Sequence, residues 1–278
     1  MPRRLRLDAE LVRRGLARSR DHAAQLVAAG RVSVSGVVAR KPATGVSTDA
    51  AVAVATGAGD PEYVSRGGHK LAGALASFCP RGLTVTGRRC LDAGASTGGF
   101  TDVLLRAGAA EVWAVDVGYG QLAWKLRQDP RVRVLDRTNI RTIDPSTIGG
   151  PVDLVVADLS FISLTLVLDA LFAATQPDGD VVVMVKPQFE VGRGRVGKGG
   201  VVREPRLRAE AVHAVADAAA RRGWGAQGVT ASPLQGPSGN AEFFLWLRQR
   251  SAAVRREHID AEVRRADDGG GPDEKVTS

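Results

Sequence analysis

Cysteine is almost absent from this 278-residue chain, occurring only as Cys79 and Cys90. They form neither a C-x-x-C pair nor a disulfide framework, which excludes a disulfide-stapled secreted fold and a zinc site built on cysteines. Long apolar runs are missing too. The longest are about five residues, as in Val181–Val185, against roughly twenty for a membrane-spanning helix. The N-terminus, Met1-Pro-Arg-Arg-Leu-Arg, has basic residues but no apolar stretch behind them, so it is not a secretory signal. A soluble, cytoplasmic protein with no integral membrane association is expected.

Hydrophobic residues make up 44% and charged residues 24%, a globular composition. The length allows one or two domains with a real core. Thirty-eight Lys and Arg against 30 Asp and Glu leave a formal charge of +8, which favours a polyanionic partner, nucleic acid before anionic membrane. Residues 1–41 hold ten basic and three acidic residues, so nearly all the excess sits there. Residues 251–278 carry five basic and seven acidic residues and read as a C-terminal extension, disordered from about 266. A Gly/Asp/Pro stretch near Ala58–Pro61 looks like a linker. The expected division is 1–59 as an N-terminal domain, 60–70 as linker and 71–250 as the main domain.

The N-terminal domain reads as a small α+β unit. Ala9, Val12 and Leu16 share one face of a first helix. Ser19 caps a second, with Ala23, Leu26 and Val27 inward and Gly30 as the stop. Val32 and Val34, the turn Ser35-Gly36 and Val37-Val38 form a hairpin. The candidates for RNA contact are Arg4, Arg6, Arg18, Arg20 and Lys41 here, with Arg66, Arg193 and Arg195 further on.

From about residue 85, strands and helices alternate. Apolar strands are expected at Arg89–Ala93, Glu111–Asp116, Val132–Asp136, Val152–Asp158 and Val181–Lys186, then from Val229 and over Ala241–Leu247. Helices are expected from the glycine loop to Leu105, over Leu164–Thr175 and over Arg206–Arg222. This order implies a doubly wound, largely parallel sheet, whose ligands bind beyond the carboxyl ends of the strands. Asp92, Asp116, Asp136, Asp158 and Lys186 all fall there, and buried carboxylates are costly without partners.

After the first strand comes Gly94-Ala-Ser-Thr-Gly-Gly-Phe100. It is neither G-x-G-x-x-G nor a phosphate-binding Walker loop, yet it turns tightly and lets a ligand approach the backbone. Asp116, 22 residues after Gly94, suits a carboxylate accepting from ribose hydroxyls. Asp136 is a candidate for the adenine end. A nucleoside cofactor without a pyrophosphate fits, and S-adenosylmethionine is the obvious one.

The acceptor follows partly by elimination. After the fourth strand stands Ala157-Asp158-Leu159-Ser160-Phe161 rather than the [DN]-P-P-[YF] of many amine methyltransferases. Neither cysteine is placed as a nucleophile for base carbon methylation. A hydroxyl remains. A ribose 2′-hydroxyl needs its proton removed and its oxygen aligned with the methyl. Lys186 is placed as the base, which requires a pKa well below its usual ~10.4. Lys70 is the second cation, and Asp158 and Glu242 would orient the ammonium groups and the ribose.

Five motifs carry a resemblance: D-A-G-A-S-T-G-G-F (Asp92–Phe100), V-D-V-G-Y-G-Q-L-A-W (Val115–Trp124), V-A-D-L-S-F-I-S (Val156–Ser163), V-K-P-Q-F-E-V-G (Val185–Gly192) and G-P-S-G-N-A-E-F-F-L-W (Gly236–Trp246). In this order they resemble the TlyA-type 2′-O-methyltransferases over about residues 3–248. The N-terminal pattern, with S-R followed by G-x-V-x-V-x-G, resembles an S4 RNA-binding module. The resemblance implies an S4 domain joined to an FtsJ-like, Rossmann-like class I methyltransferase fold. It implies 2′-O-methylation of cytidine in 16S and 23S ribosomal RNA with S-adenosylmethionine. The family's tetrad falls on Lys70, Asp158, Lys186 and Glu242. Its cofactor site falls on Asp92, Gly94, Ser96, Thr97, Gly98, Gly99, Phe100 and Asp116. The family also carries a haemolysin label, although no lytic helix is visible here.

Three other readings stay open: a pseudouridine synthase, a non-catalytic ribosome-assembly factor, and a membrane-lytic protein. Glu190–Glu204, with five glycines and four cations, is expected to be a mobile loop closing on RNA beside Lys186. The 60–69 linker is expected to couple RNA engagement to cofactor affinity. The free protein is expected to be a monomer. RNA affinity should fall linearly on a log–log plot against salt, with a slope set by the phosphates neutralised. Filter binding across a salt series measures this, and a flat line removes the RNA-binding role.

Overall fold

The computed structural model describes residues 4–14, 16–17, 20–28, 30–48, 50–54, 63–251 and 254–267. The chain divides into two compact units, Met1–Glu62 and Tyr63–Ser278.

In the first unit, β1 (Arg4–Arg6) leads into α1 (Leu7–Arg13) and α2 (Arg20–Ala28), followed by β2 (Val32–Val34), β3 (Val37–Val38), β4 (Gly45–Ser47) and β5 (Val52–Val54). β1 pairs antiparallel with β4, and β2 lies between β3 and β5. Ser35 and Gly36 turn the β2–β3 hairpin with positive φ. Leu7, Leu11, Ala23, Leu26, Val27, Val32 and Val46 form its core. The inward face of α1 differs from the expected one. Leu7 and Leu11 are fully buried, while Ala9, Val12 and Leu16 are half-buried.

The reason is charge. Asp8 and Glu10 are buried on this helix, and a scan for apolar residues passes over them. Asp8 accepts from Arg6 at 2.9 Å and Arg20 at 3.0 Å. Glu10 accepts from Arg13 and Arg14, each at 2.6 Å. Buried carboxylates persist when guanidinium forks satisfy them. The expected cap Ser19 and the candidate Arg18 lie outside the described residues.

The second unit opens with α3 (Arg66–Phe78), so residues 66–70, expected as linker, are helical. Leu71, Ala74, Leu75 and Phe78 are its buried stripe, spaced at i, i+3, i+4 and i+7. Then follow β6 (Arg89–Ala93), α4 (Gly99–Arg106), β7 (Glu111–Val115), α5 (Trp124–Arg127), β8 (Val132–Leu135), β9 (Val152–Ala157), α6 (Leu168–Ala173), β10 (Thr175–Val185), α7 (Pro187–Glu190), α8 (Pro205–Ala220), β11 (Trp224–Ala231), β12 (Phe243–Gln249) and α9 (Arg256–Asp267). The strands form one seven-stranded sheet in the order β11-β12-β10-β9-β6-β7-β8. β12 runs antiparallel to both its neighbours, while the β10-β9-β6-β7-β8 pairs are parallel.

Alternation along the strands divides the core into two layers. Leu91, Val155, Val183 and Leu245 face α6, α8 and α9. Cys90, Leu154, Val182 and Phe244 face α3, α4 and α5. Three expected elements shift. β10 begins at Thr175 because a register shift between Thr175 and Asp180 joins an extra turn to the strand. The helix expected over Leu164–Thr175 splits into a 3-10 turn, Leu164–Leu166, and α6. β11 begins at Trp224, five residues before Val229.

The C-terminal extension is structured over α9. Its Ile259 and Val263 are buried, Asp260 lies 2.8 Å from His213 of α8, and Glu262 accepts from the Ala231 amide at 2.9 Å. That carboxylate satisfies a donor on the edge strand β11. No described helix is long and apolar enough to cross a membrane.

The Arg13 guanidinium lowers the Glu10 carboxyl from 4.5 to about 2. A depressed acid stabilises the fold above its ordinary pKa and stops doing so as pH falls through the folded one. Amide NMR should therefore show the first unit weakening between about 4.5 and about 2, and Glu10→Gln should flatten that dependence.

Candidate active site

Strand ends place the polar residues. Asp92 is the penultimate residue of β6, and Asp116, Asp136, Asp158 and Lys186 each follow the last residue of their strand. Glu242 precedes β12. Because β12 is antiparallel and Phe243 pairs with Val185, Glu242 reaches the same sheet edge as Lys186. Lys70 comes from the first half of α3.

The structure brings these four together as two ion pairs. Lys186 Nζ lies 2.6 Å from Asp158 Oδ1 and donates to Ser160 Oγ at 2.8 Å. Lys70 Nζ donates to Glu242 Oε2 at 2.5 Å. Lys70 and Lys186 are each 7% exposed and Glu242 is 2% exposed. Burial pushes the Glu242 carboxyl up, and the Lys70 and Lys186 charges pull it back.

Two clefts meet at this edge and share Gly94, Ser96, Asp158 and Ser160. One holds Lys70 and Lys186 with Arg66, Thr97, Gly99 and Phe100. The other, about 500 Å³, is lined by Val115, Asp116, Gln121, Asn139, Ile140, Leu159 and Phe161. Both lie at the switch point between β6 and β9, where the strand order reverses.

The glycine loop is shaped by protein neighbours as well as by the clefts. Gly94 has φ +86°, and a Cβ there would sit 2.5 Å from the Asp158 carbonyl oxygen. Gly98 has φ +96°, and its missing Cβ faces Leu122 and Leu126. Gly98 does not line either cleft; it caps α4. Asp116 fastens the loop, accepting from Ser96 N at 2.8 Å and from Gly118 N at 2.7 Å. A carboxylate has about four acceptor positions, so two stay open towards a ribose. Beneath the loop, Asp92 is fully buried. Its Oδ2 accepts from Thr101 at 2.6 Å, and its Oδ1 has no hydrogen-bond partner among the described residues. Burial pushes this carboxyl up to about 7.

Asp136 is placed differently from the expectation. It accepts from Arg127 and from the Gly120 amide and lines neither cleft; Thr138, Asn139 and Ile140 line the wall instead. Ser160, Gln121 and Asn139 are cleft residues that strand-end reasoning missed, because loop residues with no periodicity give no signal. Arg195 is held by Glu210 at 2.6 Å and by the Val191 carbonyl. The side chain of Arg193 lies outside the described residues. The 190–204 segment is anchored rather than loose. Val191 and Val202 are buried with Ala211, and Asn240 bonds both Val202 N and the Gly200 carbonyl, each at 2.9 Å. Those bonds were not legible because Asn240 lies 38 residues beyond Val202.

The donor set fits S-adenosylmethionine: apolar walls for a purine, open carboxylate positions for a ribose, and acidic groups for its two cationic centres. Fold and site together define an S-adenosylmethionine-dependent methyltransferase. Residues 63–249 match the profile of the FtsJ-like methyltransferases and residues 5–52 that of the S4 domain. The chain belongs to the FtsJ-like methyltransferase family and, within it, to the TlyA proteins.

It is 61% identical to the 16S/23S rRNA (cytidine-2'-O)-methyltransferase TlyA of Mycobacterium tuberculosis, over 96% of this chain and 98% of that protein. It is 37% identical to Hemolysin A of Brachyspira hyodysenteriae, over 86% of this chain and 98% of that one. A solved structure named for a hemolysin, from Streptococcus thermophilus, superposes with a TM-score of 0.77 at 39% identity, covering 97% of each chain.

Gly98→Ala should destabilise the second unit by about 1–3 kcal/mol, through backbone strain and the displaced leucines. Urea unfolding measures it.

Proposed function

We propose that this protein transfers a methyl group from S-adenosylmethionine to the 2′-hydroxyl of cytidine in 16S and 23S ribosomal RNA. The carrying observation is the pairing of a buried Lys186 with Asp158, which lines both clefts. The 61% identity to a protein with that printed activity supports the choice of acceptor.

When bound, S-adenosylmethionine supplies an electrophilic methyl on a sulfonium. Asp116, Gly94 and Ser96 hold the nucleoside part, with Thr97, Gly99 and Phe100 in the cleft that holds Lys70 and Lys186. Asp92 and Gly98 act from behind, by fixing the loop. Asp136 acts through Arg127 and Gly120. Lys186 Nζ, in its amine form, takes the 2′-hydroxyl proton, and the ion pair with Asp158 is the state reached once that proton is held. Ser160 fixes the direction of Nζ. The Lys70–Glu242 pair holds the ribose face, aligning the oxygen with the methyl.

RNA is held by phosphate contacts from Arg4, Arg6, Arg20 and Lys41 in the S4 unit, together with Arg18, and from Arg66, Arg193 and Arg195 in the other. Asp8 presents Arg6 and Arg20 as a pair whose side chains remain 53% and 58% exposed. Each guanidinium keeps further donors for phosphate. The partner is the ribosomal RNA of the small and large subunits, and the free protein is a cytoplasmic monomer.

Radiolabelled methyl transfer to isolated ribosomal subunits, followed by nucleoside separation, tests this reading. Label in 2′-O-methylcytidine is expected with the wild type. With Lys186→Ala it should fall by about 10²-fold or more, the scale of a lost general base. Cofactor binding without transfer to either subunit would move the function to a non-catalytic RNA role.

A further inference from the structure

The two loops that carry Asp158 and Lys186 are joined a second time, away from the ion pair. Glu190 ends α7, four residues after Lys186. Its carboxylate accepts from Ser163 Oγ at 2.5 Å and from the Leu164 amide at 2.8 Å. Both belong to the segment that follows Asp158. Ser163 also contacts Thr165 Oγ1 at 2.7 Å and caps the 3-10 turn beginning at Leu164. Beside this contact, the rings of Phe161 and Phe189 lie 5.3 Å apart. Phe161 is 92% exposed and holds φ +64°, a conformation that a side chain of this size adopts only when its surroundings enforce it.

We propose that Glu190 is a positioning residue for methyl transfer: it latches the Asp158–Leu164 loop to α7 and so keeps Asp158 and Ser160 in register with Lys186 Nζ. The function of the latch rests on the methyltransferase reading above; the latch itself does not.

The physical case is geometric. Lys186 receives Asp158 and Ser160 from a loop that leaves the sheet after β9; Asp158 N donates to the Ala93 carbonyl of β6 at 3.0 Å, and Ser160 lies two residues past that tie. A lysine side chain is long and rotamer-rich, so a shift of that loop would separate the pair without unfolding anything. Glu190 removes this freedom by bonding one side-chain donor and one backbone donor of the same loop. It touches neither cleft, so its effect on the reaction passes through Asp158, Ser160 and Lys186. Glutamine keeps the acceptor for Leu164 N and offers an amide to Ser163 Oγ. Alanine keeps neither.

Two measurements on the full chain test the proposal. The first is hydrogen–deuterium exchange over residues 158–166 in the wild type, Glu190→Ala and Glu190→Gln. Alanine should lose protection at Leu164 and its neighbours, and glutamine should retain it. Equal protection in all three overturns the latch whatever the activity. The second is steady-state methyl transfer to ribosomal subunits. Glu190→Ala should lower kcat about tenfold, corresponding to about 1.4 kcal/mol, with KM for S-adenosylmethionine within about twofold. Glu190→Gln should restore most of kcat, and Ser163→Ala should fall between.

An unchanged kcat in Glu190→Ala overturns the positioning role. So does a glutamine variant as impaired as alanine, or a loss confined to KM and melting temperature. If the wild type transfers no methyl to either subunit while Glu190→Ala still loses protection, the proposed reaction falls and the latch stands.

Discussion

Two ammonium groups are kept nearly dry at one edge of a sheet, and much of the second unit is arranged around that constraint. A buried lysine is tolerated only with a partner in contact. Lys186 takes Asp158 and Ser160, and Lys70 takes Glu242. The four charged residues come from three separate strand ends and one helix. Each must therefore be delivered by a different crossover, and the antiparallel β12 is the least replaceable of them. Were it parallel, Glu242 would sit at the far edge, and Lys70 would be buried without a counter-charge.

The glycine loop shows how a binding feature and a packing feature can be one object. Gly94 lies against the Asp158 backbone, so the loop that shapes both clefts also touches the residue paired with Lys186. Gly98 serves α4 and the leucines of the following segment. Asp116 ties down the loop with two of its acceptor positions and turns the others to the cleft. The two clefts are thus mechanically joined through Gly94, Ser96 and Asp158.

The S4 unit handles its charge differently. Part of its cationic excess is neutralised internally: Asp8 and Glu10 sit inside the unit and gather four arginines around α1. Arg14 is spent on structure, bonding the Thr48 and Ala50 carbonyls. Arg6 and Arg20 are oriented but remain accessible. A count of basic residues overstates the number free to meet a phosphate, and the arrangement explains which remain.

The alternation of apolar strands with helices, the loop at Gly94 and the placing of acids at successive strand ends could be read directly from residue order. Periodicity and turn chemistry are local, and they act over a few residues. Lys186 and Asp158 could be nominated for the same reason, since each follows an unbroken apolar run, Val181–Val185 and Leu154–Ala157. The direction of β12 could not, nor could the opening of α3 that carries Lys70 into contact with Glu242 across 172 positions. The surroundings of Asp136 could not be read either, because a strand-end acid looks the same in sequence whether it faces a cleft or an arginine. The Glu190 contact to Ser163 was silent as well, because neither residue belongs to a periodic pattern. Sequence alone determined the elements and their polarity patterns. Only the tertiary structure decided which charges share a site, because ion pairing depends on distances set by strand order and direction, and these are properties of the whole sheet.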